Sequence, residues 1–109
     1  MEYVKVADKN ELAAGKKIIV KVAGKEVLLA NVGGSYYAIP NKCTHLGGPL
    51  GKGSLEGNII TCPWHGSQFD VTTGKNVTGA TIAFIKMNVK DEPCYPVKVE
   101  GNDILVGIA

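Results

Sequence analysis

Cys43-Thr44-His45 and Cys62-Pro63-Trp64-His65 each place an imidazole one or two residues beyond a thiol, and these are the chain's only two histidines. Sixteen residues, Leu46 through Thr61, separate the pairs, so two loops joined by a hairpin could turn two thiolates and two imidazoles onto one centre. Such a donor set suits zinc or iron–sulfide chemistry. A tetrahedral zinc site is the simpler reading, but the one-residue Cys-x-His spacing fits the usual finger pattern poorly. Gly47, Gly48 and Gly66 lie beside the candidate ligands, where backbone without Cβ can approach inorganic sulfide and aim N–H groups at it. That favours a cluster over a bare ion. Pro49 and Pro63 stiffen the same loops and limit how far ligands reorganise when the charge of the centre changes. The third cysteine, Cys94, has no cysteine or histidine near it in sequence and reads as a small buried hydrophobe or an idle thiol.

The elements that must position these residues read as short strands. Tyr3 to Val6 alternates as a half-buried strand does, and Asp8 can cap a short helix over Lys9 to Ala14 that stops at Gly15. Lys17 to Val22 and Glu26 to Val32 flank Ala23-Gly24-Lys25, and Gly33-Gly34 turns the chain into Ser35 to Ile39, which predicts three antiparallel strands. From 41 to 57 the pattern lapses and five glycines appear, as expected of loops around a site. Asn58 to Thr61 leads into the second cysteine box, and Val71 to Val77 reads as a further turn. Thr81 to Val89 and Tyr95 to Glu100 are expected to pair with Ile104 to Val106 through Gly101-Asn102-Asp103.

The chain has 109 residues, 45% of them hydrophobic and 20% charged, enough for one globular domain and one core. All twelve cations are lysines, spread along the chain, so the arginine forks that grip phosphate or bases are absent and nucleic acid is not an expected partner. No apolar run approaches the roughly 20 residues that span a bilayer, and the first residues lack a signal-peptide core. The expectation is a soluble cytoplasmic protein with no membrane partner.

Cys43-Thr44-His45-Leu46-Gly47-Gly48-Pro49-Leu50 and Cys62-Pro63-Trp64-His65-Gly66-Ser67-Gln68-Phe69-Asp70 resemble the two boxes of the Rieske family, and the flanking strands extend the likeness over most of the chain. The resemblance implies a single Rieske domain over 1–109. Its fold would be all-β, an antiparallel sandwich or barrel with a cluster-binding subdomain inserted near residues 41 to 70. It also implies one [2Fe–2S] cluster per chain, one iron held by Cys43 and Cys62 and the other by His45 and His65. Two ferric ions and two sulfides leave two positive charges, which two thiolates cancel and neutral imidazoles leave unchanged. An electron therefore meets less repulsion here than at a four-thiolate centre, in keeping with His-ligated potentials of about −150 to +300 mV.

Departures from the family narrow the type. Members in membrane cytochrome complexes clamp the two loops with a disulfide, and the matching positions here are Gly48 and Trp64. A tyrosine that bonds a ligating sulfur in those members is replaced by Phe69, while Ser67 matches a serine that bonds a bridging sulfide. Ser67 and Phe69 also have plainer readings, as a turn residue and as core filling. Leu46, Pro49, Leu50 and Trp64 could form an apolar rim on which a transient partner docks, or Trp64 could simply cover the cluster from water.

The likeness is to ferredoxins that feed oxygenases. It implies a monomeric one-electron carrier, not itself an enzyme, working between a ferredoxin reductase and a terminal oxygenase or other redox acceptor. The alternative is a permanent small subunit of an oxygenase or nitrite-reductase-like enzyme. Potentiometry is expected to place the midpoint in the lower half of the about −150 to +300 mV range. The midpoint should fall as pH rises, because loss of the histidine ring protons favours the oxidised state; a value near +300 mV would refute the assignment.

Overall fold

The computed structural model describes residues 2–42, 49–64, 66–78, 80–82, 85–87 and 92–108. Among them the regular structure is antiparallel β, with two single 3-10 turns. The strands are β1 (Glu2–Asp8), β2 (Lys17–Val22), β3 (Lys25–Val32), β4 (Ser35–Pro40), β5 (Ser54–Glu56), β6 (Ile59–Thr61), β7 (Gln68–Asp70), β8 (Asn76–Thr78), β9 (Ala80–Ile82), β10 (Ile85–Met87), β11 (Val97–Glu100) and β12 (Asp103–Ile108). They form sheets in the orders β1-β12-β11, β2-β3-β4, β5-β6-β7-β8 and β9-β10.

The middle sheet is built from two tight hairpins. Ala23 and Gly24 both take positive φ (52° and 79°), as do Gly33 and Gly34 (62° and 94°), the backbone that lets a two-residue link follow the twist of the strands. Val27 to Asn31 is buried without a break, so β3 is covered on both faces. Because side chains alternate, Val27 and Leu29 enter one core with Ala7, Leu12, Val22, Ala38, Ile104 and Val106. Leu28 and Ala30 enter the other, with Ile39, Leu50, Ile60, Cys62, Phe69 and Val71. The first core joins the middle sheet to β1-β12-β11. The second joins it to the β5–β8 sheet and to the second cysteine box.

Several expectations change. In place of a helix over Lys9 to Ala14 there is one 3-10 turn, Lys9–Glu11, where the Asp8 N–H donates to Glu11 Oε1 at 2.9 Å. Six residues are too few to repay helix nucleation, and the Leu12 carbonyl is taken by Asn31 Nδ2 at 2.9 Å. A second 3-10 turn, Leu50–Lys52, was not anticipated. β11 starts at Val97 and pairs with β12 as expected, while Tyr95 makes a single bridge to Ala38. Of the Thr81 to Val89 stretch, the described residues do not join that sheet: β9 and β10 pair with each other, and residues 83, 84, 88 and 89 lie outside the described residues. Val71 to Val77 is a turn only at its start, since β8 begins at Asn76.

Asn31 is 4% exposed and spends its whole side chain on loops, Nδ2 on Leu12 O and Oδ1 on the Gly34 N–H, both at 2.9 Å. Asn31→Ala would leave both partners short of a bond in a buried setting. The expected cost is about 2–4 kcal/mol, read as a fall in Tm of roughly 10–25 °C; an unchanged Tm would show that these bonds do not hold the loop.

Candidate metal centre

The four candidate ligands lie on two loops, and the structure defines how each loop is closed. Cys43, His45, Leu46, Gly48 and His65 are outside the described residues, so the geometry of the centre is read from the stems and from Cys62. The first loop, 43–48, leaves and re-enters through a neck. Lys42 bridges Pro49, the Leu50 N–H donates to Asn41 O at 2.8 Å, and the Gly51 N–H donates to Asn41 Oδ1 at 2.6 Å. Asn41 is itself 3% exposed and tied to β3: its backbone N–H donates to Glu26 O at 3.1 Å, and its Nδ2 to Glu26 Oε1 at 3.3 Å.

The second loop closes on itself. The Cys62 N–H donates to Ser67 O at 2.7 Å and the Gly66 N–H to Cys62 O at 3.2 Å, with Gly66 at φ 74°, a backbone that favours glycine. Cys62 is 3% exposed, in the same apolar cluster as Leu50 and Phe69. Pro63, Trp64 and Gly66 are exposed.

Gly53 brings the two stems together. Its φ is ordinary, so its role is space: a Cβ there would overlap the carbonyl oxygen of Thr61, the residue before Cys62. Ser54 pairs with Thr61 directly, in β5 and β6. The return stem of the first loop therefore lies against the entry stem of the second. The sequence offered glycine density as a signal here, but nothing in it singled out Asn41, Gly51 or Gly53.

The other sequence-predicted residues divide clearly. Phe69 is fully buried and fills the core. Leu50, expected in an apolar rim, is also fully buried, because the 3-10 turn rolls it under the sheet; that expectation is corrected. Pro49 is half-buried. Trp64 is 55% exposed, a surface side chain on the second box. Cys94 is exposed, where the sequence suggested a buried residue or an idle thiol. Partial burial and then the Asp70 carboxylate push its thiol pKa up, and its Sγ faces Thr72 O at 3.8 Å, all of which argues against reactivity. Burial works to raise the Asp70 pKa, but the Thr72 hydroxyl and N–H, with Asn58, outweigh it and hold the carboxyl below its ordinary value.

Ser67 tests whether an iron–sulfide group fits. Its hydroxyl is fully buried and has no hydrogen-bond partner among the described residues, although buried hydroxyls are normally paired. It stands in the same closed turn as the buried Cys62 thiol. A sulfide or thiolate sulfur at this turn would supply the missing acceptor, so the residues present suit such a group.

Comparison with known proteins agrees. Residues 2–96 match the family model described as "Rieske [2Fe-2S] domain". A "Naphthalene 1,2-dioxygenase system, ferredoxin component" from Pseudomonas aeruginosa is 39% identical, covering 91% of this chain and 88% of the relative. Among solved structures, the "Ferredoxin of carbazole 1,9a-dioxygenase from Nocardioides aromaticivorans IC177" superposes with a TM-score of 0.83 at 33% identity, covering 97% of each chain. A chain of a "Complex of reduced oxygenase and oxidized ferredoxin in carbazole 1,9a- dioxygenase" superposes at 0.81 with 28% identity, covering 95% of this chain and 91% of that one. The chain belongs to the Rieske [2Fe–2S] family. The group it carries is a Rieske-type [2Fe–2S] cluster, and its function is one-electron transport.

Replacing Ser67 by Ala is expected to lower the midpoint potential. If the hydroxyl bond forms chiefly in the reduced state and is worth about 1.5 kcal/mol, the fall is about 60 mV for one electron. Protein-film voltammetry of the two proteins measures it; equal potentials would mean that the hydroxyl has another acceptor.

Proposed function

We propose that this chain is a ferredoxin component of an aromatic-ring dioxygenase system, taking one electron at a time from a reductase and delivering it to a terminal oxygenase. The observation that carries the reading is the second box: a buried thiol and a buried hydroxyl without a partner among the described residues, at the foot of a loop where Pro63, Trp64 and Gly66 are exposed. Relatives matched over nearly their whole length are ferredoxin components, and one neighbour comes from a ferredoxin–oxygenase complex. These support a separate carrier over a permanently bound subunit.

In this proposal Cys43 and Cys62 hold one iron, and His45 and His65 the other. When bound, the cluster supplies a one-electron couple and no open position for a substrate, so the protein is not itself an enzyme. What the chain contributes is a fixed frame. The neck at Asn41 and the Cys62–Ser67 bond limit movement of the loops when the charge changes, and the apolar cluster behind Cys62 keeps water from that end. The cluster-binding part is taken to span about residues 41 to 70, set on a β base, in a monomer working in the cytoplasm.

Two measurements test this. Stopped-flow mixing of the reduced protein with a terminal oxygenase of such a system should show single-electron oxidation during turnover, and size-exclusion should return a free 11.5 kDa species. Permanent co-migration with a large subunit would favour the alternative. Cys62→Ser should abolish the visible absorption and the rhombic resonance of the reduced protein. His45→Cys should drive the potential toward the about −400 mV of all-thiolate centres; an unchanged potential would overturn the ligand assignment.

A further inference from the structure

Gly51, the residue that follows the first box, is gripped from three sides. Its N–H donates to Asn41 Oδ1 at 2.6 Å, its carbonyl accepts from Lys17 Nζ at 2.6 Å, and the space where a Cβ would stand is filled by the Ile19 side chain and by Asn41. Lys17 and Ile19 both belong to β2, so this socket pins the stem of the ligand loop to the base of the molecule across 34 positions of sequence.

The lysine is an unusual choice of donor. Ordering so long a side chain costs rotamer entropy, and its acceptor here is a neutral carbonyl. Lys5, by contrast, is neutralised by Asp8 and Asp103, each at 3.1 Å. Among the described residues no carboxylate pairs with Lys17, so within them its positive charge stands uncompensated at the loop stem.

The peptide that holds this charge lies near the second stem. Gly51 is two residues from Gly53, which rests against the Thr61 carbonyl, one residue before Cys62. Two residues span at most about 7 Å of chain, which brings the Gly51 peptide within about one Debye length, about 10 Å at 0.1 M salt, of the second stem.

We propose that Lys17 is a positioning and tuning residue for the electron-transfer centre: through the Gly51 peptide it fixes the first ligand loop, and its unpaired ammonium stabilises the added electron. This rests on the reading that the loops carrying Cys43 and Cys62 hold the cluster.

The test compares wild type with Lys17→Met, which keeps the aliphatic stem and removes the charge, and with Lys17→Arg, which keeps both charge and donor. Wild type must first show the rhombic signal of a His-ligated binuclear centre; without it the underlying reading fails, and the proposal with it. Given that signal, Lys17→Met should bind a full complement of iron and sulfide. At a fixed ambient potential its reduced-to-oxidised ratio should drop at least threefold, about 28 mV at 59 mV per tenfold. The drop should shrink as salt is raised from 0.05 to 0.5 M, values on the order of those over which screening lengths fall severalfold, and Lys17→Arg should restore the wild-type ratio.

Equal ratios in wild type and a fully loaded Lys17→Met overturn the proposal and leave the cluster reading intact. A drop that salt does not alter and that Lys17→Arg fails to restore also overturns it, since that pattern marks general disturbance of the loop. Should Lys17→Met not fold, Lys17→Gln provides the same comparison with a shorter neutral donor.

Discussion

Burial of β3 on both faces is the constraint on which the rest of the molecule depends. Val27 and Leu29 point into the core of the base while Leu28 and Ala30 point into the core behind the second cysteine box, so one strand serves as the common wall of two apolar clusters. Each large aliphatic side chain so buried is worth about 1.5–3 kcal/mol against exposure. A slip of one residue would exchange the two sets of side chains and spoil both cores together. The register is therefore held from both sides, and the ends of β3 become reliable anchor points. Glu26, at one end, receives Asn41; Asn31, at the other, receives the loop after the first 3-10 turn.

Given that wall, the stems of the two candidate-ligand loops are fixed at their ends. Lys42 and Pro49, which flank the first box's Cys-x-His, bridge each other, and Cys62 and Ser67, which flank the second loop, share a hydrogen bond. The stems are then packed together where Gly53 leaves room for the Thr61 carbonyl. Closing the stems in this way lowers the entropy that must be lost to bring the flanking residues together. For a redox centre that is a functional property as well as a stabilising one, because each conformational change coupled to the arriving charge slows exchange in both directions.

The base hairpins and the family likeness of the two Cys/His boxes were legible because their signals are local. Gly33-Gly34 between alternating apolar runs marks a turn, and a thiol beside each of only two histidines marks a site. What escaped was non-local. The pairing of β1 with β12 joins residues about a hundred positions apart, and no periodicity announces it. Lys9 to Ala14 carries helix-forming residues, yet the Leu12 carbonyl is claimed by Asn31 from another strand, so tertiary contacts overrode local propensity. Leu50 read as part of an apolar rim with Leu46, Pro49 and Trp64; the 3-10 turn that it opens places it in the core. Asn41 and Gly53 looked like ordinary loop residues, since their roles are set by partners 15 and 8 positions away.

The second box passes from interior to solvent within two residues, and this gradient explains how one small site can meet two opposed needs. A potential that resists the fluctuations of bulk water calls for sulfur in a dry, close-packed setting, and the thiol of Cys62, the proposed ligand, is 3% exposed among Leu50, Ile60 and Phe69. Electron exchange with another protein calls for a short path to the surface, and Pro63, Trp64 and Gly66 stand in solvent. Gly66 at positive φ is what permits both, because it folds the chain back so that Ser67 is buried again immediately after the exposed tip. A Cβ at Gly66 meets open space, so its substitution would bring no clash, only the strain of a backbone that L side chains rarely adopt. The glycine is therefore placed by conformation, whereas Gly53, with an ordinary φ and a crowded Cα, is placed by contact. The two glycines secure the same site by different means, one by turning a loop and the other by letting two stems touch.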